Sequence, residues 1–123
     1  MPEAPTHRAF FGDTERAFAL PPAMIAELER LSGAGIGGLC RRLFAGEFHH
    51  AHVVETIRLG LIGGGETPQR AAELIATYAT ARPLAETYPI AVAILECVWF
   101  GAPASAPAPA ADTDPLPAPE TAA

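Results

Sequence analysis

The chain has 123 residues, a length that fits one domain. Half of the residues are apolar, 18% are charged and the formal net charge is −6, which excludes a simple electrostatic nucleic-acid binder, because that mode needs Lys and Arg to neutralise phosphates. The charge is uneven: residues 102–123 hold three acids and no base, whereas residues 1–101 hold eleven acids against eight Arg.

Residues 1–5 read as a flexible N-terminus without the basic start and apolar run of a signal peptide. A β-hairpin comes next, with Thr6–Phe11 and Arg16–Leu20 flanking the loop Gly12-Asp13-Thr14-Glu15. Phe18 and Leu20 share one face of the second strand, and Phe10 can lie on that face too. A two-stranded hairpin is marginal alone, so it must pack on the rest of the domain.

Pro21-Pro22 stops the strand and opens a first helix, with Met24, Ile25, Leu28 and Leu31 on one apolar stripe and Ser32-Gly33 as its end. A second helix repeats the spacing with Ile36, Leu39, Cys40, Leu43 and Phe44, and Gly46 stops it. A third runs from about His49 to Ile62 on Val53, Val54, Ile57 and Leu61. Gly63-Gly64-Gly65 breaks it and is read as a structural turn, in which replacing Gly64 with Val is expected to destabilise the domain wherever positive φ is required. Thr67 caps a fourth helix, with Pro68 at its first position and Arg82-Pro83 as its end. A last helix spans Pro83–Phe100, kinked or split at Pro89. The fold class is mainly α (α+β): an N-terminal hairpin and about five helices over residues 6–101. Residues 102–123, with nine Ala and six Pro, read as a disordered appendage, with a Pro-rich docking peptide as the alternative.

Catalytic and metal patterns are weak. His49 and His52 have helical i, i+3 spacing, but no second pair completes a zinc shell, so the run His49-His50-His52 reads as an exposed helix start. Gly60–Thr67 lacks the Lys-Ser/Thr of a phosphate loop and does not follow a strand. Cys40 and Cys97 are too few for a disulfide scaffold and lie on apolar helix faces, where thiols are inert. Glu27 and Glu29 sit on a solvated helix flank. No enzyme, cofactor or metal is expected, and the longest apolar stretch is far short of a membrane span. Adjacent Phe10 and Phe11 must point to opposite strand faces, and Trp99 and Phe100 cannot both enter one core stripe. Large apolar surface is therefore expected outside, the mark of a protein-binding module. Phe10, Phe11, Trp99 and Phe100 are the partner-contact candidates.

The run Glu55-Thr56-Ile57-Arg58-Leu59-Gly60-Leu61-Ile62-Gly63-Gly64-Gly65, joined to a later Arg82-Pro83-Leu84, Glu86, Pro89, Ala91, Ile94-Leu95 and Gly101, resembles the gene transfer agent family proteins of alphaproteobacteria. These are small tail proteins of phage-like particles. The front part, a hairpin and then Ile25–Gly33, is also similar, so the resemblance covers about Phe10 to Gly101. The C-terminal tail and the histidine run lie outside the pattern.

The resemblance implies a role in building a phage-type tail. Family members are described both as tail tube proteins and as tail assembly chaperones that coat the tape-measure protein until tube subunits replace it. A small, mainly helical chain suits the chaperone role, because tube subunits are dominated by β-strands. The implied partners are the tape-measure protein and other tail proteins. Self-association is compatible with the role, and neither nucleic acid nor membrane is implied. The implied location is the bacterial cytoplasm, or alternatively the tail of a phage-like particle.

Overall fold

The computed structural model describes residues 4–101, in the order β1 (Thr6–Phe11), β2 (Thr14–Ala19), α1 (Pro22–Ser32), α2 (Ile36–Phe44), α3 (His50–Gly63), α4 (Pro68–Tyr78) and α5 (Leu84–Phe100). The expected disordered appendage at 102–123, like residues 1–3, lies outside the described residues. The mainly α architecture with an N-terminal hairpin is as expected from the sequence.

The hairpin is tighter than its Gly-Asp loop suggested. Phe11 pairs with Thr14, so the turn is the two residues Gly12-Asp13, with Gly12 at φ +74°. An even-numbered turn places even positions of β1 against odd positions of β2. Phe10 therefore opposes Glu15, and His7 opposes Phe18. This corrects the expectation that Phe10 can lie on the face of Phe18. Phe11 takes that place instead: it is 3% exposed and meets the rings of Phe18 and Tyr78 edge-on at 5.9 and 6.0 Å. Such edge-to-face geometry suits the ring quadrupoles.

Helix α3 is the centre of the fold and touches β2, α1, α4 and α5. Its Val53, Ile57, Leu59 and Leu61 are buried, together with Phe18, Leu28, Leu39, Leu43, Leu74, Ile94 and Leu95. Two positions of the apolar stripes do not face inward: Leu31 and Phe44 are exposed, each in the last turn of its helix.

Helix ends follow side-chain and backbone chemistry. Thr67 Oγ1 accepts from the Arg70 N–H at 3.1 Å and caps α4. The Glu29 carboxylate accepts from the Ile36 N–H at 2.8 Å. It therefore caps α2 from the neighbouring helix and is not the merely solvated residue the spacing suggested. Helix α3 ends in a Schellman turn, in which Glu66 N–H donates to Leu61 C=O, Gly65 N–H donates to Ile62 C=O and Gly65 holds φ +124°. Helix α4 stops at Tyr78, before Arg82-Pro83, where the Ala79 and Thr80 N–H groups both donate to Ile75 C=O. Pro89 does not split the last helix: α5 runs continuously from Leu84 to Phe100.

Candidate functional site

The segment Gly60 to Gly65 is where the chain's glycines have a tertiary purpose. A Cβ at Gly63 would lie 1.9 Å from the Ala19 carbonyl oxygen, and one at Gly64 would lie 2.0 Å from that of Ala17. A Cβ at Gly60 would press on Ile94 Cδ1 at 3.1 Å. One edge of α3 is thus bare of side chains, and β2 lies on it at backbone contact distance. Gly64 has φ −84°, so it is glycine because of this approach and not because of a left-handed backbone. Around it, Ile57, Leu59 and Leu61 are buried, Ile62 is partly buried, and Arg58 pairs with Glu55 on the outer side.

Arg16 secures the same junction. Its guanidinium donates to Phe11 C=O at 3.2 Å, to Asp13 at 3.0 Å and to Glu66 at 3.0 Å, and its side chain is only 11% exposed. The hairpin turn is thereby tied to the loop that ends α3. At the second half of the motif, Arg82 pairs with Glu86 across the first turn of α5, Pro83 occupies its N-cap and Leu84 is exposed. All of these are structural roles, and none of them presents a reactive group.

The exposed aromatics form a separate feature. Trp99 is 59% exposed and Phe100 is 76% exposed, at the end of α5. They share an open groove of about 650 Å³ with Phe44, Arg41, Gly37 and Gly38 of α2. Phe10, 69% exposed, lines a different cleft with Tyr78, Arg82, Glu86 and Ile90. Of the four sequence-predicted contact residues, the structure brings Trp99 and Phe100 together and sets Phe10 apart. Phe11 belongs to the core and only edges the cleft of Phe10, because the strand pairing puts it on the inward face with Phe18. Phe44 was missed as a surface residue; its place at the last residue of α2 was the available signal.

The remaining candidates behave as structural groups. Burial pushes the Cys40 and Cys97 thiols up, with Glu96 adding to the shift at Cys97, so neither is an activated thiolate. His49 and His50 are exposed, and the His49 and His52 rings meet edge-on at 4.9 Å. His52 is held below the ordinary histidine value by burial, then by His49 and Arg42. Among the described residues no three His, Cys, Asp or Glu side chains converge as metal ligands.

A hairpin docked on a glycine-edged helix, followed by an aromatic helix end, spans the same residues as a known family. The family model described as phage tail tube protein, GTA-gp10, matches residues 4–101. The chain belongs to this family. No curated protein and no solved structure matches it. The matched region coincides with the described fold of the tail protein, so the glycine edge, the Arg16 junction and the aromatic groove all lie inside the family domain. Within that domain no helix is long and apolar enough to cross a membrane.

Proposed function

We propose that this member of the tail family is a non-enzymatic assembly protein that holds the tape-measure protein during tail construction. The observation that carries the reading is the groove of Phe44, Trp99 and Phe100 on a small, mainly helical domain. Exposed aromatic surface of this kind suits reversible capture of apolar helices. The only sheet among the described residues is one hairpin, a poor basis for stacked β-rings. The non-enzymatic reading is supported by the groups that would otherwise react: both thiols are buried, and Ser32 Oγ is engaged with backbone atoms of Glu29 and Ala34.

Co-expression with the tape-measure protein tests the proposal. The tagged tail protein captures it, and Trp99→Ala with Phe100→Ala abolishes capture while helical circular dichroism persists. Capture that survives the double substitution rejects the groove as the contact. The family description favours a second reading, a tube component kept in the particle. Mass spectrometry of purified particles separates the two, since a stoichiometric amount of the protein there would exclude transient holding.

A further inference from the structure

The groove between the ends of α2 and α5 has features that the interior does not explain. Gly37 and Gly38 lie inside α2, where glycine weakens a helix. Yet a Cβ at Gly37 would meet nothing within 4 Å, and one at Gly38 would meet only the Arg41 guanidinium at 4.0 Å. Arg41 is also unusual electrostatically. Arg8, Arg16, Arg30, Arg58, Arg70 and Arg82 each pair with a carboxylate, whereas Arg41 and Arg42 have no ion-pair partner among the described residues. The groove thus combines aromatic walls, a floor cleared of side chains and an uncompensated cation. Its complement is a slim segment that is both apolar and acidic.

The same chain carries one. Residues 102–123 leave the fold at Gly101, directly after the groove residue Phe100, and contain six Pro, the aliphatic Leu116, three acids and no base. Aromatic-lined grooves are suited to Pro-rich segments. Asp112 lies eleven residues beyond Gly101, enough to extend about 36 Å. That exceeds the roughly 26 Å length of the seventeen-residue α5. We propose that the segment Asp112–Leu116 docks in the groove of its own chain, with Pro115 and Leu116 against Phe44, Trp99 and Phe100 and the Asp112 and Asp114 carboxylates facing Arg41. This intramolecular cover shields the aromatic patch whatever the groove later receives, so it stands or falls separately from the tape-measure reading.

Trp99 is the single tryptophan of the chain, so acrylamide quenching of its emission in the full-length protein reports coverage of the groove. A tether this short holds the segment at a local concentration on the order of millimolar, so a dock of about millimolar strength is filled roughly half of the time, and its loss raises the quenching constant about twofold. Asp112→Arg with Asp114→Arg produces that rise, Arg41→Glu produces it alone, and combining all three returns the constant to the wild-type value. The wild-type constant is unchanged on dilution. Equal quenching in the wild type and the tail variant overturns the proposal, as does a triple variant that fails to recover. Quenching that rises on dilution also overturns it, because a second copy would then be the cover.

Discussion

Gly63 and Gly37 show that two glycines in neighbouring helices can have opposite reasons for being there. Gly63 and Gly64 cannot gain a Cβ without displacing the backbone of β2, since the atoms in the way are carbonyl oxygens and not flexible side-chain tips. Gly63→Ala and Gly64→Ala are each expected to destabilise the protein by about 3 kcal/mol, the upper part of the overpacking range, measured by urea unfolding. Gly37→Ala meets open space and should stabilise it by about 0.5–1 kcal/mol in the same measurement. A stabilised Gly64→Ala would show that the helix and strand do not meet at backbone contact. Histidine supplies a second residue-scale expectation. His7 sits opposite Phe18, and burial lowers its proton affinity from the ordinary 6.5, with Glu96 opposing the shift. Between pH 6.5 and the folded value, the unfolded chain binds a proton that the folded chain refuses. Stability is therefore full above that window and declines as the pH falls through it. His7→Phe should reduce the loss of melting temperature between neutral and mildly acidic buffer, and an unchanged loss would remove His7 from the account.

At the scale of elements, the hairpin and α3 depend on each other. A two-stranded hairpin is marginal in water, and here it gains stability by burying Phe11, Phe18 and Leu20 against the helices. The glycine edge sets the distance of approach, and Arg16 sets the orientation by joining Phe11, Asp13 and Glu66. Because Arg16 is largely buried and its loss leaves Glu66 without its cation, Arg16→Ala is expected to cost about 2 kcal/mol in denaturant unfolding. Arg16→Lys should recover little of it, since a single ammonium cannot address three acceptors with the fixed fork of a guanidinium. Full recovery by lysine would reduce the junction to simple charge pairing. Helix α2 depends on α1 in a similar way, through the Glu29 carboxylate at its first N–H. Its other end is held by α5, where the Tyr88 hydroxyl donates to Leu43 C=O and the Tyr88 ring stacks on Phe48 at 4.8 Å.

Across the described domain, the core and the proposed binding groove occupy different surfaces. The core lies around α3, whereas Trp99, Phe100 and Phe44 project from the far ends of α5 and α2. Trp99→Ala with Phe100→Ala should therefore leave the melting temperature within about 2 °C of the wild type, as surface changes do. A drop of about 10 °C would instead assign these rings to the fold. This separation is what the proposed assembly role requires, because a groove set apart from the core can be emptied and refilled without unfolding the scaffold.

Local sequence determined the parts whose physics is local. Helical spacing located all five helices, and Pro21-Pro22, Gly33, Gly46 and Thr67-Pro68 marked their ends, because caps and breakers act within one turn. Adjacent aromatics also implied that one of Phe10 and Phe11 must face outward. Which one does so depends on the pairing of the two strands, and the even-numbered turn sets Phe11, not Phe10, on the face of Phe18. Proximity between segments remote in sequence decided the rest. Gly64 needs the carbonyl of Ala17, Arg16 needs Glu66, and Ile36 needs Glu29. The aromatic groove exists only where α2 ends beside α5. Periodicity reports which face of a helix is apolar, but how far along its length a neighbour covers that face is a property of the packed molecule alone.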